Sequence, residues 1–138
     1  MAAALLEKYL KQAGKDYIEV RSAGVSALEG TPPTDETIEI MKKEGINVSG
    51  HEAKEATEDI IRNSDLILVM EQLHKDEVLR RVPEAASKTY LLKEFASQKK
   101  IEQDEMPGVP DPIGKPIEYY RYSCGIIKKE IERIVNLL

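Results

Sequence analysis

The chain has 138 residues, 41% hydrophobic and 33% charged, with a net charge of −5; this suits one globular domain with a real core. The acidic balance argues against general nucleic-acid binding, and no apolar run approaches the roughly 20 residues that span a bilayer. The single cysteine, Cys124, excludes an intramolecular disulfide framework and suits a reducing cytoplasm.

Residues 2–13 predict a helix: the run is Ala-rich, Leu5, Leu6, Tyr9 and Leu10 share a stripe, and Gly14 stops it. Its apolar start is interrupted by Glu7 and Lys8 before any signal-peptide core develops. Residues 17–21 predict a short strand running into Ser22-Ala23-Gly24. A second helix follows Pro32-Pro33, with Thr34 as N-cap, Asp35 and Glu36 in its first turn, and Gly45 as its stop. Thr57 opens a short third helix by the same logic. Residues 65–70, an unbroken apolar run after Asp65, read as a strand buried on both faces. Helix signals return over residues 72–81 and end at Pro83, and residues 89–92 predict another strand. Residues 97–116 are polar and rich in Pro and Gly, which predicts a loop carrying Pro107, Pro110, Asp111 and Pro112. From Pro116 a long helix runs through Leu137, with Ile126, Ile127, Ile131, Ile134 and Val135 on its apolar face.

This alternation predicts an α/β domain, a three-layer parallel sheet with helices on both faces. Residues 1–138 show no internal repeat and are expected to form a single domain. Doubly wound domains usually begin with a strand that carries the active loop at its C-terminal end. Here the chain opens inside a helix, so Met1 is expected to be an internal methionine in an N-terminally truncated domain whose first strand is missing.

The landmarks also match a family. They are Ser22-Ala23-Gly24 after a strand, Gly45-Ile46 followed by Ser49-Gly50-His51, the run from Asp65 to Met70, Leu92-Lys93-Glu94-Phe95, and Asp111-Pro112 with Gly114. In this order the chain resembles the low-molecular-weight protein-tyrosine phosphatases, most closely the bacterial branch that includes protein-arginine phosphatases. The resemblance implies a Rossmann-like phosphatase fold and hydrolysis of phosphotyrosine or phosphoarginine through a cysteinyl-phosphate intermediate. It implies a phosphorylated protein as substrate, inorganic phosphate as product, no cofactor and no metal. A cytoplasmic location is expected, with no nucleic-acid or membrane partner.

In that family a first strand leads into a Cys-x5-Arg phosphate-binding loop, and residues 1–6 resemble the continuation after it. The chemistry needs a thiolate surrounded by N–H donors, an arginine fork for the phosphoryl oxygens, and an acid for the leaving atom. Of these the chain holds only the acid, expected at Asp111 in the Asp-Pro loop, so it is predicted inactive as it stands. Pro112 and Ile113 are expected to wall the cleft; Ile113 stands where relatives often carry an aromatic. Ser22 and His51 match residues that brace an Asn of the phosphate-binding loop. Asp111 as a simple turn former, Ser22 as a strand-end hydroxyl and His51 as a loop imidazole are the bland alternatives.

Cys124 lies within the last helix, with no glycine-rich loop around it and no arginine at the required spacing, so it reads as structural. His74, beside Lys75 on a helix, reads as solvated and uninvolved, and the two histidines are too isolated to hold a metal. The alternative function is a non-catalytic relative acting as a binding module. Arsenate reductase of the same fold would need resolving cysteines beyond Cys124. A parallel sheet without its central strand leaves a gap of roughly 10 Å. The expected outcomes are closure of the sheet, a strand from another chain, or an upstream strand in place.

Overall fold

A computed structural model describes residues 1–97 and 108–138. Helix α1 (Ala2–Gln12) buries Leu5 and Leu10. Helix α2 (Asp35–Lys43) starts where Thr34 Oγ1 accepts the Thr37 N–H at 3.3 Å. Helix α3 (Glu58–Asn63) starts the same way, with Thr57 Oγ1 accepting from Ile60 N–H at 3.3 Å. Strand β1 (Ile67–Val69) leads into helix α4 (Gln72–Arg81), and a 3-10 turn (Pro83–Lys88) follows. Strand β2 (Thr89–Leu91) continues directly into helix α5 (Leu92–Ser97), and helix α6 (Ile117–Leu137) closes the chain. No helix among the described residues is long and apolar enough to cross a membrane.

Most elements fall where the sequence puts them, with three differences, at residues 17–21, 92–97 and 97–116. Residues 92–97 form a helix because Leu92 and Ala96, one turn apart, both reach the core beside α6. The loop expected over residues 97–116 is described only from Gly108; Pro107 lies outside the described residues.

The strands β1 and β2 run parallel, with Ile67 opposite Thr89, Leu68 opposite Tyr90 and Val69 opposite Leu91. Side chains alternate between faces, so this small sheet feeds two cores. Val69 and Leu91 pack with Ile61 of α3, Val78 of α4, and Val82 and Ala85 beyond it. Leu68 and Met70 pack on the opposite side, against a core that joins α1, α2, α5 and α6 through Leu5, Met41, Leu92 and Ile131. The result is a three-layer α/β arrangement with helices on both faces of a parallel sheet.

The expected strand over residues 17–21 does not form; residues 19–23 have no regular structure, and only Gly24 makes an isolated parallel bridge, to Glu55. A strand exists by its ladder of partners, and residues 17–23 have none among the described residues. The expected closing of the sheet does not occur either. Ile18 and Val20 pack against the α1–α6 core, while Gly24 N–H is tied to the Lys54 carbonyl at 2.8 Å. Held at both ends, the segment cannot swing across to β1. A groove of about 1270 Å³ stays open, bordered by Ala3, Ala4, Val20, Ile46, Val48 and Ile60.

Arg81 ties the two halves of this frame together. At the end of α4 its guanidinium donates to the Ala56 carbonyl at 2.8 Å, to the Val25 carbonyl, and to Glu77 Oε1 at 3.0 Å. Arg80 and Arg81 together hold the Glu77 carboxyl down at about 2. Replacing Arg81 by Met leaves two carbonyls without their donor, at about 1–3 kcal/mol each. The unfolding midpoint should fall by on the order of 5–10 °C; a midpoint within error of the parent would remove Arg81 from this role. A depressed carboxyl contributes stability that is lost as pH falls from the ordinary carboxylate range through about 2. Glu77→Gln should therefore show a shallower acid loss over that window by thermal melts, and an unchanged slope would contradict the assignment.

Candidate active site

Asp111 stands at the mouth of a cavity of about 320 Å³, on the segment that links residue 108 to α6. That segment docks onto the C-terminal end of β1. Gly108 comes so close that a Cβ there would lie 3.2 Å from the Met70 carbonyl oxygen and 3.3 Å from Glu71 Cγ. This approach lets Val109 N–H donate to the Met70 carbonyl at 2.8 Å, with the Val109 side chain buried in the core. The hydroxyl of Ser123 on α6 donates to the Pro110 carbonyl at 2.8 Å. Asp111 Oδ1 accepts the Ile113 N–H at 3.0 Å, a local turn of the kind Asp favours. Among the described residues Oδ2 has no partner. Pro112 and Ile113 line the cavity, and Ile113 is 67% exposed at its rim. The turn and a proton-transfer role are thus compatible, because they use different oxygens.

His74 departs from its sequence reading. It lines the same cavity, and its Nδ1 accepts the Glu71 N–H at 3.2 Å while the Glu71 carboxylate accepts the His74 N–H. This reciprocal pair caps α4. An Nδ1 that accepts a hydrogen bond places the ring proton on Nε2. The sequence signal was present as a residue able to accept at the third helical position, three after Glu71. Ser123 was also missed: a small polar residue on an apolar helix face carries no sign of its distant partner.

Ser22 and His51 are brought together, with Ser22 Oγ 3.5 Å from His51 Nε2, both exposed. They border the large groove rather than the Asp111 cavity. The two hollows share Met1 and Thr37, so the start of α1 stands between the acid and the Ser22–His51 pair. Cys124 lies elsewhere, 4% exposed in the core under α6. Burial first, and the Glu44 carboxylate second, push its thiol above the ordinary range. Both effects work against a thiolate. Among the described residues lining the Asp111 cavity the charged side chains are Glu71 and Asp111, and none is lysine or arginine.

Residues 1–138 match the family described as low molecular weight phosphotyrosine protein phosphatase. The chain belongs to this family. It is 36% identical to a protein-arginine-phosphatase of Geobacillus stearothermophilus, covering 100% of this chain and 86% of that protein. It is 34% identical to a probable low molecular weight protein-tyrosine-phosphatase, AmsI, of Erwinia amylovora, covering 96% of this chain and 85% of that one. Among solved structures, the Geobacillus stearothermophilus YwlE arginine phosphatase superposes with a TM-score of 0.84 at 35% identity, covering 98% of this chain and 80% of that one. A low molecular weight protein tyrosine phosphatase from T. tengcongensis gives 0.87 at 35%, covering 99% and 88%. The low molecular weight phosphatases are protein phosphatases, and this chain shares their Rossmann-like α/β fold.

A buried thiol with a raised pKa should resist alkylation. Native protein treated with iodoacetamide at neutral pH should stay unmodified by mass spectrometry, and label only after unfolding. Rapid labelling of Cys124 in the native state would contradict the burial described here.

Proposed function

We propose that this chain is the acid-bearing body of a protein phosphatase, and that its preferred substrate is phosphoarginine. The observation that carries this reading is Asp111, whose Oδ2 is left free at the mouth of a cavity that also presents the Glu71 carboxylate. In the first step a thiolate attacks phosphorus, and the bond to the leaving nitrogen or oxygen breaks as Asp111 delivers its proton to that atom. In the second step Asp111, now a carboxylate, takes a proton from water as it attacks the phosphoenzyme. The S–P bond breaks, which releases inorganic phosphate and restores the thiolate and the protonated Asp111.

The preference for phosphoarginine has an electrostatic basis. With Asp111 holding the proton, Glu71 is the remaining acidic lining residue, and with no lysine or arginine among the described lining residues it suits a guanidinium better than a neutral phenol ring. The residue after Asp111-Pro112 is aliphatic, so it offers no aromatic face for a phosphotyrosine ring to stack on.

The thiolate and the arginine clamp are assigned to a segment preceding residue 1. That segment would lie in the open groove as an extended strand, with its loop ending at Met1 between Asp111 and the Ser22–His51 pair. Support comes from the free edge of β1 and from the position of Met1 at the border of both hollows. In this arrangement Ser22 and His51 brace the incoming loop.

The 138-residue protein should show no turnover of para-nitrophenyl phosphate, with or without Cys124→Ser; turnover lost on that substitution would make Cys124 the nucleophile. With a strand and Cys-x5-Arg loop joined ahead of Met1, activity should appear, with phosphoarginine peptides preferred. Asp111→Asn should then lower kcat by roughly 10²–10⁴-fold. Full activity of that variant on a phosphoarginine peptide would reduce Asp111 to a turn residue.

A further inference from the structure

We propose that Ser123 is the positioning residue for Asp111, acting through the plane of the Pro110–Asp111 peptide bond. The inference rests on Asp111 being the proton donor described above. It starts from a residue out of place. Ser123 lies three residues after Tyr120 and four before Ile127 on α6, and all three are buried. An apolar residue would suit that position, because a buried hydroxyl needs a partner to offset its desolvation. A serine inside a helix usually finds one in the carbonyl four residues back. Ser123 instead donates across 13 residues of chain, at 2.8 Å, to the carbonyl of Pro110.

That carbonyl belongs to the peptide unit that enters Asp111. Because the unit is planar, fixing its oxygen also fixes the direction of the Asp111 N–Cα bond. The neighbouring dihedrals are already restricted. Pro110 and Pro112 have rings that set their own φ, and each proline confines the residue before it to extended conformations. Val109 is buried and bonded to the Met70 carbonyl. The peptide plane between Pro110 and Asp111 is the degree of freedom left, and Ser123 removes it. Ile113 N–H then holds Oδ1 at 3.0 Å, so Oδ2 is the oxygen that carries the proton towards the leaving atom. Ser123 touches neither substrate nor proton; it sets where the acid points.

Two readouts test this. In the 138-residue protein, Ser123→Ala should speed amide exchange at Ile113 by about tenfold, as expected for the loss of one local restraint. The Ile131 and Ile134 amides should keep their protection and so report that α6 is still folded. Ser123→Thr, which keeps the hydroxyl, should restore the parent rate at Ile113. In the protein carrying the nucleophile loop, Ser123→Ala should lower kcat on a phosphoarginine peptide by about 10–100-fold with KM unchanged. On para-nitrophenyl phosphate, whose leaving group needs little protonation, the loss should stay below about 3-fold. Unchanged exchange at Ile113 overturns the anchor. Equal losses on both substrates, or failure of Thr to rescue, overturn its link to proton transfer. A harmless Asp111→Asn would instead overturn the acid assignment itself, so the two failures are told apart.

Discussion

The contact on which the site depends is the one between Val109 N–H and the Met70 carbonyl at the end of β1. Gly108 favours it, because a Cβ there would lie 3.2 Å from the Met70 carbonyl oxygen and push the two backbones apart by a few tenths of an ångström. Through it, a loop that would otherwise be free is registered against the sheet, and the sheet in turn is held between two cores. The position of Asp111 is therefore inherited from the sheet rather than set by the loop alone. This follows the general logic of parallel α/β proteins, in which function gathers beyond the carboxyl ends of the strands.

The same end of β1 also organises the start of α4. Met70 carries the Asp111 loop, Glu71 caps α4 with His74, and both line one cavity. The other half of the site is a groove along α1 and the 19–22 segment, where Ser22 and His51 meet. Two half-sites separated by the N-terminus of α1 account for the geometry better than either alone. One carries the acid assigned above as the proton donor. The other is the frame that the proposed function gives to an anion-binding loop.

How much of this was legible in the sequence follows from the range of the forces involved. Helices announced themselves through local signals: Thr34 and Thr57 cap as their spacing suggests, and the stripe on α6 buries as written. Strand β1 was legible from its apolar run. Residues 17–21 misled because alternation shows what a segment can do, while a ladder needs a partner that the sequence of the segment does not contain. Helix α5 was hidden because residues 92–97 are short and their helicity comes from tertiary burial of Leu92 and Ala96. Asp111, Pro112 and Ile113 were singled out through a motif, and all three line one cavity. Ser123 was invisible because its role is a contact across 13 residues, and His74 was misjudged because its partner is a backbone N–H rather than a side chain.

The account centres on Asp111 Oδ2 being aimed at the leaving atom, and that aim can be seen directly. The decisive measurement is a crystal structure of the protein with the strand and Cys-x5-Arg loop joined ahead of Met1, soaked with orthovanadate to mimic the phosphoryl group in transfer. The account predicts vanadate on the loop cysteine, with Asp111 Oδ2 about 2.6–3.2 Å from its apical oxygen and Oδ1 still accepting from Ile113. A bound vanadate with Asp111 turned away and another acid over its apical oxygen would contradict it.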